Sequence, residues 1–227
     1  MFVTDVASGL VASGLSFRYR GAASLVIDDF GHAFRAGTLT AVVGPSGAGK
    51  STLLSLLGLL LRPEGGSVAV GDVVPDWRRP GQVAALRTRR FAWILQNNAC
   101  FEARTAVDNV AIALLSEGKG MPAARMAAEE VLAAVGLSGQ ARMPARQLSG
   151  GEQQRMTVAR ALLAGRPYVL ADEPTGNLDR ANSRMVFAAL RTCAESGAAV
   201  VVATHDPEST DVADEVVDLT VNAYSAR

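Results

Sequence analysis

The chain has 227 residues, of which 49% are apolar and 19% are charged, a composition typical of a globular domain. Lys plus Arg and Asp plus Glu both number 22, so the net charge is zero and no overall field favours nucleic acid or an anionic membrane. Two distant cysteines predict no disulfide framework, no apolar run is long enough to span a bilayer, and residues 1–16 lack the basic start of a signal peptide.

The first half of the chain is rich in short strand-like runs bounded by glycines. These runs lie at 10–19, 33–34, 39–43, 65–71 and 91–95. Together they predict an antiparallel β region that leads into a buried strand at 39–43. The last run ends directly before Gln96.

From about residue 105 onward, Ala, Leu and Glu dominate and apolar residues recur at helical spacing. Two helices separated by Gly118 and Gly120 are followed by a helix at 152–163, a strand at 168–171, a helix at 180–195 and a strand at 198–203. This alternation predicts a mostly parallel sheet. We therefore expect an α/β core, about 1–96 and 165–227, into which a helical subdomain of about 97–164 is inserted.

A glycine-rich segment follows the strand at 39–43 and leads into a helix. It consists of Gly44, Pro45, Ser46, Gly47, Ala48, Gly49, Lys50, Ser51 and Thr52. The glycines let successive backbone N–H groups surround an anion, and the helix N-terminus adds partial positive charge. Lys50 is placed to reach the β- and γ-phosphates of a nucleotide, and the Ser51 hydroxyl to ligate Mg²⁺. The segment therefore predicts a site for a nucleoside triphosphate.

Polar side chains follow three other predicted strands. Asp172 and Glu173 come at the carboxyl end of a strand, where α/β folds place ligands; Asp172 suits Mg²⁺, and Glu173 suits the polarisation of an attacking water. Gln96 is placed to touch the metal or the water, and His205 to contact the γ-phosphate. Tyr19, upstream of the loop, is expected either to stack on adenine or simply to pack.

A second helix N-terminus of the anion-binding type is formed by Ser149, Gly150 and Gly151. One ATP has one γ-phosphate, which the loop at 44–52 already holds. The second site is therefore expected to serve the nucleotide of another copy, in a head-to-tail pair with twofold symmetry.

In these features the chain resembles the nucleotide-binding subunits of ABC transporters over nearly its whole length. The matching motifs are the phosphate loop at 44–52, Gln96, the LSGGEQQ signature at 148–154, Asp172 with Glu173, the segment 177–179, and His205. The resemblance implies a P-loop NTPase (RecA-like) core with an antiparallel β region and an inserted helical subdomain. It also implies hydrolysis of ATP with Mg²⁺, and a role for Asp179 in linking two sites across a dimer.

Segments 170–179 and 203–206 resemble one branch of this family, which includes lipoprotein-releasing, macrolide-exporter and FtsE-type ATPases. The branch implies an ATPase at the cytoplasmic face of the membrane, coupled to a permease that docks near 97–107. Because one chain carries both half-sites, a homodimer is expected and a heterodimer stays open, and the zero net charge predicts no nucleic-acid partner. Export or mechanotransmission is the expected outcome. Segment 97–104 departs from the Leu-rich sequence usual in such relatives, so an atypical docking groove is expected.

Several alternatives stay open at this point. An FtsE-type ATPase would regulate cell-wall hydrolysis in cell division instead of transporting a substrate. A soluble ABC ATPase of DNA repair would carry a long insertion, yet Lys50 and Ser149 are only 99 residues apart; translation types usually carry two ATPase domains. A small-molecule kinase would leave the signature segment unexplained.

Overall fold

A five-stranded parallel sheet forms the centre of the molecule. The computed structural model describes residues 9–95, 99–176, 178–205 and 208–220. In order across the sheet, the strands are β5 (Phe91–Ile94), β6 (Tyr168–Asp172), β7 (Ala199–Ala203), β3 (Leu39–Val43) and β8 (Glu215–Asp218). All neighbouring pairs are parallel, so the carboxyl ends of the strands share one edge of the sheet. The strands that precede Glu173 and His205, β6 and β7, are direct neighbours in this sheet.

A second, antiparallel sheet has three strands. Its central strand, β1 (Leu10–Phe17), pairs with β2 (Ile27–Phe34) on one side and β4 (Gly65–Val70) on the other. The antiparallel region is therefore confirmed. However, β2 begins six residues before the predicted run at 33–34, because its exposed Asp28 and Asp29 interrupt the apolar signal.

Seven helices lie within the described residues. They are α1 (Lys50–Leu57), α2 (Pro80–Arg90), α3 (Ala106–Leu115), α4 (Met121–Ala134), α5 (Gly150–Ala164), α6 (Arg180–Glu195) and α7 (Glu208–Val212). α3, α4 and α5 pack on one another, and α5 also packs on α6. Among the described helices, none combines the length and apolarity required to traverse a bilayer.

Both faces of the parallel sheet are buried. Successive residues of each strand point to opposite sides, and each side packs against its own apolar cluster. On β7, Val200 and Val202 join the apolar cluster formed with α3 to α6. Val201 and Ala203 join the other cluster, which includes α1 and the antiparallel sheet. Each buried valine contributes roughly 1.5–3 kcal/mol to folding. The sheet is thus fixed from both sides, and its carboxyl edge is a rigid platform.

Candidate functional site

The glycine-rich segment runs from the end of β3 to the start of α1, as predicted. Gly49 caps α1 with a left-handed backbone, φ 95°, and no side chain caps this helix. A Cβ at Gly49 would lie 3.0 Å from Cγ1 of Val26 and 3.1 Å from Cδ1 of Ile27. Glycine is therefore required here on both conformational and steric grounds. The first N–H groups of α1 are left facing the loop, where an anion can accept from them.

Lys50 is buried beneath the loop. Its Nζ donates to the carbonyl oxygens of Gly44 (2.8 Å) and Pro45 (3.2 Å) and lies 3.7 Å from Oε1 of Glu173. The ammonium group is thus held in place by carbonyl groups of the loop itself. Its positive charge lies close to where this loop would bind the phosphates of a nucleotide.

Asp172, the last residue of β6, contacts the first turn of α1. The Ser51 hydroxyl donates to Oδ1 of Asp172 at 2.9 Å. Burial raises the pKa of Asp172, and repulsion from Glu173 adds to this, while the Ser51 hydrogen bond and Lys50 oppose it. A hydroxyl and a carboxylate side by side are the hard oxygen donors that Mg²⁺ prefers, and this pair therefore fits that ion. Within the described ranges, no group of three or more His, Cys, Asp or Glu is arranged to hold a metal ion.

Glu173 occupies a strained position between β6 and β7. Its φ of 46° lies in the left-handed region, which costs a non-glycine residue about 1–3 kcal/mol. Its N–H donates to the carbonyl of Ala203 (2.8 Å), which fixes this conformation. Nδ1 of His205 is hydrogen-bonded to Oε2 of Glu173 at 2.9 Å. The two predicted residues are thus direct neighbours.

The phosphate loop, Glu173 and His205 line one cleft of about 690 Å³. Its walls include the loop, Val26, Glu173 and His205, with Tyr19 at the rim. The Tyr19 ring packs edge-on against Phe17, with centroids 5.0 Å apart, and its hydroxyl is hydrogen-bonded to Oγ1 of Thr52 (3.0 Å). About half of the Tyr19 surface is exposed, so one face is accessible to a planar ligand.

The signature segment lies at the N-terminus of α5. Ser149 and Glu152 form a reciprocal capping box: Glu152 N donates to the Ser149 hydroxyl (3.4 Å), and Ser149 N donates to Oε2 of Glu152 (2.8 Å). This second N–H lowers the pKa of Glu152. Ser149 and Gly150 are exposed and do not line the described cleft. The structure therefore keeps this helix N-terminus apart from the phosphate loop of its own chain.

Asp179 caps α6 and reaches the signature helix through a residue that sequence reasoning missed. The Asp179 carboxylate accepts hydrogen bonds from Asn182. The side-chain amide oxygen of Asn182 in turn accepts a hydrogen bond from Arg155 of α5. The only sequence signal was the position of Asn182 three residues after a cap. Gln96, Asn177 and Asp206 lie outside the described residues.

Comparison with known proteins identifies the family. The model of the ABC transporter family matches residues 27–176. The chain belongs to this family. The lipoprotein-releasing ATP-binding protein LolD of Bordetella avium is 41% identical to this ABC subunit over 208 residues, 90% of each chain. The macrolide export protein MacB of Neisseria meningitidis is 36% identical over 86% of this chain and 30% of its own length.

Solved ABC cassettes share the fold of this ABC subunit. A dimeric bacterial ABC transporter cassette is superimposed with a TM-score of 0.81 at 27% identity, covering 92% of this chain and 93% of the other. A post-hydrolysis dimer bound to ADP and phosphate gives a TM-score of 0.82. The expected fold is confirmed, and the chain is an ATP-binding and ATP-hydrolysing ABC subunit.

Proposed function

We propose that the subunit binds Mg²⁺-ATP in the cleft, closes head to tail on a second copy, and separates after hydrolysis. One observation carries this proposal. The carboxyl ends of three adjacent strands bring the phosphate loop, Glu173 and His205 to a single cleft, although they come from distant parts of the chain. Asp172 joins them through its hydrogen bond with Ser51 of the loop. The residue roles below are inferred from that arrangement.

The phosphate loop holds the nucleotide, with Lys50 and the loop amides on the phosphates. Ser51 and Asp172 hold Mg²⁺, together with Gln96 as the family resemblance implies. When bound, the ion supplies positive charge next to the phosphate oxygens. Tyr19 offers its exposed ring face to the adenine.

Glu173 acts as the general base. It accepts a proton from water as that water attacks the γ-phosphorus, and the bond to the bridging oxygen breaks to leave ADP and phosphate. Before ATP binds, Lys50 lies next to this carboxylate, at 3.7 Å. The phosphates compete for Lys50, which leaves Glu173 paired with His205 alone. His205, which lines the same cleft beside Glu173, contacts the γ-phosphate and so senses its presence.

Ser149, Gly150, Gly151 and Asp179 complete the site of the partner copy. The support is geometric: a capped, exposed helix N-terminus lies away from the cleft of its own chain. ATP then joins two copies because each nucleotide contacts both. Since one chain carries both half-sites, a homodimer suffices.

The dimer works at the cytoplasmic face of the membrane, coupled to a permease that docks near 97–107 on the helical subdomain of about 97–164. Leu95 and Phe101, which flank the undescribed residues 96–98, are exposed apolar side chains that suit such a contact. The LolD relatives favour lipoprotein release as the task, either as export or as mechanotransmission. No observation favours the cell-division alternative.

Replacing Glu173 with Gln tests the ATPase cycle. Glu173→Gln keeps the shape of the side chain but removes the base, so we expect ATP binding to persist, turnover to fall by about 10²-fold or more, and an ATP-dependent dimer to accumulate. Light scattering with and without ATP measures the dimer, and phosphate release measures turnover. Near-normal turnover would assign the base elsewhere, and a monomer at saturating ATP would refute the dimer.

A further inference from the structure

The first turns of α5 and α6 meet at the side chain of Asn182. Its Nδ2 donates to Oδ2 of Asp179 (2.9 Å), and its backbone N–H donates to Oδ1 (2.8 Å). Its amide oxygen accepts from Nη1 of Arg155. Arg155 is 7% exposed, and its Nε has no hydrogen-bond partner among the described residues. The hydrogen bond to Asn182 therefore offsets part of the free-energy cost of burying the guanidinium group.

The same carboxamide lies against the backbone of Gly151. A Cβ at Gly151 would be 2.8 Å from Cγ and 2.9 Å from Oδ1 of Asn182. Glycine at this position therefore lets α5 approach α6 closely. As a result, Asn182 contributes to fixing the location of the Ser149–Gly151 segment relative to Asp179.

The chemistry of this bridge calls for a carboxamide. Arg155 offers only donors and the Asp179 carboxylate only acceptors, so the side chain between them must accept on one side and donate on the other. An aspartate could satisfy Arg155 but would repel Asp179. An aliphatic side chain could satisfy neither.

We infer that Asn182 is a positioning residue for ATP-driven dimerisation. It holds Asp179 and the Ser149–Gly151 segment in a fixed relative position, so that together they form one surface that engages the nucleotide of the partner. The inference rests on the proposed function, in which both segments act on the other copy. Asn182 does not line the described cleft. ATP binding by a single chain therefore does not depend on it.

The test uses the Glu173→Gln protein, in which ATP-bound dimers accumulate. Adding Asn182→Ala should weaken ATP-dependent dimerisation by about tenfold or more, since the side chain that joins the two segments in one hydrogen-bond network is lost. The affinity of the monomer for a fluorescent ATP analogue, measured at protein concentrations too low for dimers, should change by less than about twofold. Analytical ultracentrifugation gives the dimer constant.

Two further variants make the result interpretable. Thr192→Val removes a side-chain hydrogen bond from the same helix, to the carbonyl of Ala188, and should leave both constants unchanged. Asn182→Asp keeps the acceptor for Arg155, so α5 stays anchored, yet it should also weaken the dimer because the new charge repels Asp179.

Two outcomes would overturn the inference. Unchanged dimerisation of both Asn182 variants would show that the bridge is not needed. Parallel losses of ATP affinity, thermal stability and dimerisation would show a general structural role. If the Glu173→Gln protein itself stays monomeric with ATP, the proposed function fails first, so the two failures are distinguishable.

Discussion

At the scale of single residues, the site uses left-handed backbone in two opposite ways. Gly49 adopts it without strain and turns the chain into α1. Glu173 adopts it at a cost, which its hydrogen bond to Ala203 and its place between two buried strands offset. Sequence reasoning predicted that both residues belong to the site, but nothing local in the sequence indicated that Glu173 would be strained.

The requirement for glycine at position 49 can be measured. Gly49→Ala should lower the free energy of unfolding by about 1–3 kcal/mol, because alanine must adopt a positive φ and its Cβ meets Val26 and Ile27. Urea denaturation measures this change. Gly81→Ala is the control: its Cβ would meet nothing within 4 Å on α2, and it should be neutral or stabilising by up to about 1 kcal/mol. Equal midpoints for the two variants would contradict the assignment of strain.

Tyr19 shows what the sequence could not supply at this scale. Its hydroxyl bond to Thr52 depends on how the antiparallel sheet sits against the phosphate loop. Sequence patterns fix the period and the length of β1 and α1, but not the distance between them. Stacking and packing therefore both stayed open for Tyr19, and the structure places its half-exposed ring at the rim of the cleft.

At the scale of elements, the buried strands were predictable and the exposed or short elements were not. β3, β6 and β7 are nearly continuous apolar runs, as strands buried on both faces must be. α2 was not predicted, because Val83 is its one buried residue and its last turn is rich in arginine. β8 was missed because Val217 alone of its four residues is buried.

Asp214 shows how β8, which has only a weak apolar signal in the sequence, is held in place. Its carboxylate accepts from the backbone N–H of Leu39 (2.8 Å) at the start of β3 and from Nη1 of Arg191 (2.7 Å) on α6. The hydrogen bond from Arg191 lowers its pKa, with that from Leu39 next. A group whose pKa is lowered by folding stabilises the fold above its unfolded pKa and stops doing so as the pH falls through the folded value.

Asp214→Asn should therefore lower stability by about 1 kcal/mol at pH 7, a modest value because the pair is partly exposed. The difference from the parent protein should persist down to about pH 5 and shrink under more acidic conditions, where the parent is also protonated at this position. Urea midpoints between pH 7 and pH 3 test this. Asp211→Asn, an exposed carboxylate nearby, should have little effect at any pH. A constant difference across the range would count against the assignment.

At the scale of the whole molecule, the described residues form a cleft that suits a nucleotide and an exposed helix N-terminus, at Ser149 and Gly150, that does not line it. This separation was visible in the sequence and predicted a twofold pair. A surface for a membrane partner was harder to predict, because segment 97–104 lacks the Leu-rich sequence that the family resemblance leads one to expect.

The membrane partner can be captured with the same trapped state. A tagged Glu173→Gln protein, purified from membranes solubilised with ATP, should carry a permease with an extracytoplasmic domain. A Lys50→Ala protein is the control and should recover less of it, since it cannot hold the nucleotide that closes the dimer. Mass spectrometry identifies the partner. Recovery only from the soluble fraction, with ribosomal or DNA-bound proteins, would contradict membrane coupling.

The order of strands in the parallel sheet also has a consequence for synthesis on the ribosome. β3, which leads into the phosphate loop, pairs only with β7 and β8, and more than 150 residues separate the end of β3 from the start of β7. At about 5–20 residues per second, the nascent chain spends on the order of 10 s or more with this apolar strand unpaired. Competence to bind ATP should thus arise late, and until then the unpaired apolar strand is a site at which the growing chain can aggregate or be bound by a chaperone.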